Sequence, residues 1–84
     1  MANEFYYKSG MEKSKKKDFL GAIEDFTKAI ELTSDSSQNM AEIYFRRAVA
    51  NFHIQNSEGS AHDLIKAGEL DLKYNNQELF RNEF

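Results

Sequence analysis

The feature that most constrains the fold of this chain is an internal repeat with a spacing of 38 residues. Shifting the sequence by 38 positions aligns residues 6–32 with residues 44–70 without a gap, and seven of the 27 pairs are identical. The identical pairs are Tyr6/Tyr44, Gly21/Gly59, Asp25/Asp63, Lys28/Lys66, Ala29/Ala67, Glu31/Glu69 and Leu32/Leu70. A repeat of this period is typical of proteins that stack small structural units, because one unit alone cannot bury its apolar face.

Apolar residues recur within the repeat at steps of three and four, which is the period of one face of an α-helix. The clearest run covers 19–32, and Asp18 before it is suited to be the N-cap residue. The chain contains no Pro, the residue that most often interrupts helices. The pattern predicts an all-α fold with helices at 3–16, 19–32, 39 or 40 to 54, 57–70 with Ser57 as N-cap, and a short tail helix starting at Asn75 or Asn76.

This tandem helix–turn–helix pattern resembles the tetratricopeptide repeat (TPR) family, whose unit packs two antiparallel helices, A and B, into about 34 residues. Tyr6 matches the aromatic residue near the start of helix A, and Gly10 matches the small residue where the two helices cross. The other matches are Phe19, Ala22, Phe26, Ala29 and Leu32 in the first unit, and Tyr44, Ala48, Phe52, Ser60, Leu64, Ala67 and Leu70 in the second.

The resemblance implies a single domain over residues 1–84, built as a fragment of an α–α superhelix. It places one repeat at about 3–36 and another at about 41–74, and it leaves the tail 75–84 as a C-terminal capping helix. Two features depart from the family pattern in both units. Ser9 and Arg47 stand where an aliphatic residue is usual, and the Pro that usually follows helix B is missing.

Composition narrows the classes of function. The 84 residues include no Cys, so neither a disulfide nor a thiolate-bound metal can stabilise the fold. Eleven basic against 14 acidic residues give a net charge of −3, which argues against binding to nucleic acid or to an anionic membrane. No signal peptide pattern is present, and no apolar stretch approaches the ~18–20 residues that span a bilayer. We therefore expect a soluble, cytoplasmic protein.

Side chains that commonly carry catalysis are few and dispersed. His53 and His62 fall on different predicted helices, and the sequence has no nucleophile elbow, phosphate-binding glycine loop or paired-histidine zinc motif. The loop 35–39 has oxygen-bearing side chains at alternate positions, but Met40 stands where a calcium loop requires Gly, and Arg46 where it requires Glu. We expect a non-enzymatic protein that holds no metal and no cofactor.

The resemblance also implies a binding surface, because the A helices of this family line a concave side that holds a segment of a partner protein. The residues it assigns to this surface are Tyr7, Lys8, Met11 and Lys15 from the first unit, and Phe45, Arg46, Val49, Phe52 and His53 from the second. They combine an apolar floor with several cations, which suits a peptide with apolar anchors and carboxylates. For Phe45 and Phe52, packing within or between the repeats is an equally open interpretation.

Self-association is the main alternative to peptide binding. Repeat stacks usually need three or more units to bury a continuous core, and this sequence carries two. The apolar residues of the tail are Leu79, Phe80 and Phe84, which either cap the second unit or pack on another copy to form a homo-oligomer.

Overall fold

Helices account for most of the chain in the computed structural model, which describes residues 2–33 and 38–83. The α-helices are α1 (Ala2–Lys15), α2 (Phe19–Leu32), α3 (Gln38–His53), α4 (Ser57–Leu70) and α5 (Gln77–Arg81), with a 3₁₀ helix at Leu72–Asn75. Within the described ranges there is no β-strand. The most extensive contacts pair α1 with α2 and α3 with α4, and α2 packs against α3. The predicted all-α fold of tandem helical hairpins is confirmed.

The sequence pattern located the second helix of each hairpin residue for residue, at 19–32 and 57–70. The first helix of each hairpin lies within one or two residues of its predicted bounds. The predicted tail helix is present as α5, and Asn76 is its N-cap. The bounds of the two repeats stay predictions, and the loop residues 34–37 lie outside the described part of the chain.

The two hairpins cap their second helices in the same way. Oδ1 of Asp18 accepts a hydrogen bond from the amide of Gly21 at 3.0 Å, as predicted. The prediction that Ser57 caps α4 is wrong, because Ser57 is already helical and the preceding Asn56 has the non-helical backbone of a cap. Oδ1 of Asn56 accepts from the amide of Gly59 at 3.1 Å. The two caps therefore correspond in the 38-residue repeat, because Asp18 aligns with Asn56 and Gly21 aligns with Gly59.

The turn between the helices also repeats bond for bond. The amide of Asp18 donates to the carbonyl of Lys13 at 2.8 Å, and the amide of Asn56 donates to the carbonyl of Asn51 at 2.9 Å. Left-handed backbone occurs at one non-glycine residue in each turn, Lys17 (φ 66°) and Gln55 (φ 64°). These matched angles and bonds show that the sequence repeat is a repeat of backbone structure.

A first apolar core lies within the first hairpin and extends to the second. Its fully buried members are Ala22, Phe26 and Ala29 of α2 and Ile43 of α3. Gly10 on α1 allows the close approach of the two helices, because a Cβ atom there would lie 2.6 Å from the ring of Phe26. Ile43 joins the hairpins, so the first hairpin buries part of its apolar surface against the second.

A second apolar core lies in the second hairpin and is completed by the tail. Its buried members are Ala41, Phe45, Ala67 and Tyr74. The half-buried Leu79 and Phe80 pack against this core, so α5 covers the second hairpin as the predicted capping helix. Phe84, the third apolar residue predicted for the tail, lies outside the described residues.

Candidate functional site

The candidate site is the surface that α1 and α3 present together. We use the term A-helix surface for the predicted peptide contacts on these two helices: Tyr7, Lys8, Met11, Lys15, Phe45, Arg46, Val49, Phe52 and His53. The two helices meet along this side of the molecule, where side chains of α1 and α3 contact one another. The surface divides into an α1 half and an α3 half that differ in exposure.

The α1 half is largely accessible. Lys8 and Lys15 are exposed, and Met11 lies half-buried between them in sequence, with one side against the first core. These residues recur at steps of three and four, so they share one face of α1. This half therefore offers one cation on each side of a polarisable apolar side chain.

Tyr7 joins the two halves through a polar network. Its hydroxyl donates a hydrogen bond to Oε2 of Glu42 on α3, and its ring lies against Phe26 with centroids 6.0 Å apart. Burial and the bond to Glu42 both raise the pKa of the Tyr7 hydroxyl, because each disfavours the phenolate. Tyr7 therefore holds α1 to α3 as well as contributing to the surface.

Arg46 belongs to the same network and is paired within the chain. Its Nη1 donates to Oε1 of Glu83 at 2.7 Å, and both side chains are 28% exposed. Burial lowers the pKa of the Arg46 guanidinium, but the negative charges of Glu83 and Glu42 outweigh that effect and raise it. The predicted cation of the α3 half is thus present, with a carboxylate of the tail already bound to it.

Phe45, which the sequence assigned to the peptide-binding surface, is covered by other parts of the chain in this structure. Phe45 is only 2% exposed, because Tyr74 and Phe80 pack on its ring with centroids 4.9 and 6.1 Å away. Val49 is half-buried and also packs against the second core. Both side chains serve the interior of the second hairpin, which is the alternative that the sequence had left open for Phe45.

Phe52 and His53 lie at the carboxyl end of α3 and are exposed. The Phe52 ring, 49% exposed, makes an edge contact with Phe80, with centroids 5.8 Å apart. The His53 ring stacks on Phe19 at the start of α2, with centroids 4.3 Å apart and planes 9° from parallel. Phe52 therefore contributes to the surface beside the tail, and His53 contacts the first hairpin.

Polar residues that the sequence reasoning missed line a cleft at the amino ends of α1 and α3. This cleft of about 160 Å³ is bordered by Asn3, Glu4, Tyr7, Asn39, Glu42 and Ile43. Its carboxylates make this end of the A-helix surface acidic, whereas Lys15 lies at the carboxyl end of α1 and Lys8 lies one turn after Glu4. The sequence did contain a signal for Glu42, because this residue lies four positions before the predicted contact Arg46 and therefore on the same face of α3.

The identical pair Asp25/Asp63 marks a buried carboxylate in each hairpin, a role that the sequence did not reveal. The Asp63 carboxylate is 2% exposed and accepts from Nε and Nη2 of Arg47 at 2.7 and 2.8 Å. Asn51 Nδ2 also donates to it at 3.1 Å. The Asp25 carboxylate lies 3.0 Å from Nζ of Lys13. The hydrogen bond to Asp63 is the main cause that raises the pKa of Arg47.

Arg47, the polar residue at this position of the second repeat, links three helices. Besides pairing with Asp63 on α4, its Nη1 donates to Oγ1 of Thr27 on α2 at 3.1 Å. One side chain on α3 thus ties the second helices of both hairpins. This fixes how the hairpins stack, and with it the relative position of α1 and α3.

The neighbouring Ser60, His62 and Asp63 do not form a catalytic arrangement. The Ser60 hydroxyl donates to the carbonyl of Ala48 at 2.9 Å, and Asp63 is bound by Arg47. His62 Nδ1 lies 3.3 Å from Oδ1 of Asp63 on an otherwise exposed ring. Across residues 2–33 and 38–83 there is no group of three or more His, Cys, Asp or Glu side chains placed to hold a metal ion.

None of the described helices combines the length and the apolar character that crossing a bilayer requires. Comparison with family models, with curated proteins and with solved structures finds no match to this chain. The internal repeat, the hairpin geometry and the A-helix surface are therefore the basis on which a function can be proposed.

Proposed function

We propose that this chain is a TPR-like, non-enzymatic protein-interaction module that binds a peptide segment of a partner protein on its A-helix surface. The observation that carries the proposal is the repeated hairpin, which puts Lys8, Met11 and Lys15 on one accessible face of α1. A segment with an apolar side chain between two carboxylates complements this face, since each carboxylate meets a cation and the apolar group meets Met11.

The spacing on α1 restricts the ligand further. Lys8 and Lys15 are seven residues apart, which corresponds to about 10 Å along a helix axis. An extended peptide presents every second side chain to the same side and covers about 13 Å in four residues, a span that the long lysine side chains can meet. The expected ligand therefore carries two acidic residues four positions apart with an apolar residue midway between them. Its carboxylates lie beside Lys8 and Lys15 and outside the cleft that Glu4 and Glu42 border, because like charges there oppose binding.

Titration calorimetry with such a peptide tests the proposal directly. The double variant Lys8→Glu and Lys15→Glu is expected to weaken binding roughly tenfold, since exposed ion pairs each contribute up to ~1 kcal/mol. The variant Lys28→Glu and Lys66→Glu is the matched control, because it changes the net charge by the same amount at lysines exposed on α2 and α4, away from the A-helix surface. Equal loss in both variants would show that net charge and not this surface governs binding. Unchanged affinity in the Lys8 and Lys15 variant would reject the surface.

Self-assembly is the second candidate function, and it is favoured by exposed apolar residues on outer faces of the helices. Phe5 is 68%, Ile65 63% and Leu72 79% exposed. Residues of this kind could meet on stacked copies, whereas Leu79 and Phe80 are engaged within their own chain. Sedimentation velocity at micromolar concentration separates the candidates, since a monomer at all concentrations removes the assembly role. The cytoplasmic location and the absence of nucleic-acid or membrane partners stay predictions from composition.

A further inference from the structure

The tail makes three contacts with α3 that resemble those of a bound peptide. Phe80 places its ring edge-on to Phe45 and Phe52, with interplanar angles of 85° and 90°. Leu79 packs on the second core beside it. Glu83 then accepts a hydrogen bond from Arg46 at 2.7 Å. The tail thus presents an aliphatic residue, an aromatic residue and, three positions later, a carboxylate.

Two of these contacts fall on α3 residues that correspond to residues of the A-helix surface on α1. In the repeat alignment, Arg46 corresponds to Lys8 and Phe45 to Tyr7. Lys8 is exposed, whereas Arg46 is paired with the tail. The α3 half therefore has the chemistry expected of a peptide site, and a segment of the same chain occupies it.

Two features of the tail favour its exchange with a partner. Its helix α5 spans five residues, far fewer than an isolated helix needs for stability in water. Its ion pair is partly exposed, and pairs of that kind contribute little. A tethered segment nevertheless competes well, because its effective concentration is in the millimolar range.

We propose that α5 acts as an internal ligand and that a partner protein binds the α3 half by displacing it. The displacing segment is a short helical stretch with the pattern of the tail, Leu-Phe followed three residues after Phe by a carboxylate. This inference rests on the proposed function in that both involve peptide binding, but it concerns the α3 half and a helical ligand. Peptide binding and tail release are then one coupled equilibrium.

Fluorescence anisotropy with a labelled peptide of sequence 76–83 provides the test in the full chain. Replacing both Phe80→Ala and Glu83→Ala loosens the tail, and this variant is expected to bind the peptide about tenfold more tightly than the unchanged chain. Such a gain corresponds to a tail that occupies its site about nine-tenths of the time. Arg81→Ala is the matched control, because Arg81 is an exposed residue of α5 and its replacement should leave the affinity unchanged.

A charge exchange identifies the site. In the loosened variant, Arg46→Glu is expected to weaken binding of the peptide several-fold, and a peptide with Lys at its last position is expected to restore it. Circular dichroism establishes that each variant keeps its helix content. A loosened variant that stays helical and binds no better than the unchanged chain would overturn the proposal.

The outcomes also separate this proposal from the peptide site on α1. If the extended acidic peptide binds in a Lys8- and Lys15-dependent way while the tail peptide does not bind the loosened variant, the internal ligand is rejected and the proposed function stands. If neither peptide binds, both are rejected. A dimer of the unchanged chain that dissociates when Phe80 and Glu83 are replaced would also overturn the proposal, because the tail would then join two copies.

Discussion

Corresponding residues of the two hairpins differ in what covers them. Tyr7 of the first hairpin lies half-buried and bonded to Glu42, whereas the corresponding Phe45 is 2% exposed beneath Tyr74 and Phe80. The cause is the tail, which packs on the second hairpin. The comparison teaches that one repeated pattern produces an open half and an occupied half of the same surface.

The hairpins also differ in how they neutralise the same buried carboxylate. Asp63 is held by two bonds from Arg47 and one from Asn51, whereas Asp25 faces Lys13, whose side chain is 40% exposed.

At the helix crossing, Gly10 and Phe26 of the first hairpin correspond to Ala48 and Leu64 of the second. The first hairpin thus combines Gly with the larger Phe, and the second combines the slightly larger Ala with the smaller Leu.

The largest expected effect is the loss of stability when one of the two buried carboxylates is removed. Asp63→Ala should reduce the free energy of unfolding by about 3 kcal/mol, because it leaves the partly buried Arg47 without its partner. Asp25→Ala should cost clearly less, since the Lys13 ammonium can return to water. Urea denaturation followed by circular dichroism measures both values. Equal costs would contradict the different roles assigned to the two ion pairs.

The helix crossing offers the next largest effect. Gly10→Ala should destabilise the protein by about 1–2 kcal/mol, because the added methyl group meets the buried Phe26 ring at 2.6 Å. Adding Phe26→Leu reproduces the Ala and Leu pair of the second hairpin and should recover most of the loss. Thermal and urea unfolding of the single and double variants test this coupling. Additive costs would show that the two crossings are not equivalent.

Substitution by Gly in the two turns should change the free energy of unfolding equally, because the backbones of the turns match. Lys17→Gly and Gln55→Gly should each stabilise the protein by about 0.5 kcal/mol, since relief of the left-handed strain exceeds the entropy that glycine adds to the unfolded chain. Urea denaturation of both variants provides the measurement. Stabilisation by one and destabilisation by the other would argue against a common turn.

A pH dependence is expected at Tyr7, and Tyr7→Phe removes it by giving the first hairpin the Phe that the second hairpin has at position 45. The folded chain raises the pKa of Tyr7 above its ordinary value of 10.0, so its contribution to stability is complete below that pH and is lost as the pH rises above it. The free energy of unfolding should therefore fall more steeply between about pH 9 and 11 in the unchanged chain than in the variant. Parallel pH profiles would contradict the assignment.

Local sequence signals predicted much of the fold. The period of apolar residues located α2 and α4, and the repeat itself pairs Asn56 with Asp18, which would have corrected the misplaced cap at Ser57. Short-range chemistry of this kind is fixed by residues that are close in sequence.

The occupied half of the site could not be predicted in the same way. Arg46 and Glu83 are 37 residues apart, and no local pattern joins them. The burial of Phe45 depends on Tyr74 and Phe80, which reach it only after the chain has turned back over α3. The roles of Asp25 and Asp63 had a visible sign in their identity between repeats, but their partners are only partly repeated, because Lys13 corresponds to Asn51 whereas Arg47 corresponds to Ser9.

The central claim is that the A-helix surface binds a peptide, and amide chemical-shift mapping during titration with the extended acidic peptide tests it most directly. The account predicts the largest shifts at Lys8, Met11 and Lys15, with smaller shifts in the tail. Shifts concentrated on the outer faces, around Leu20 of α2 and Ile65 of α4, would contradict it.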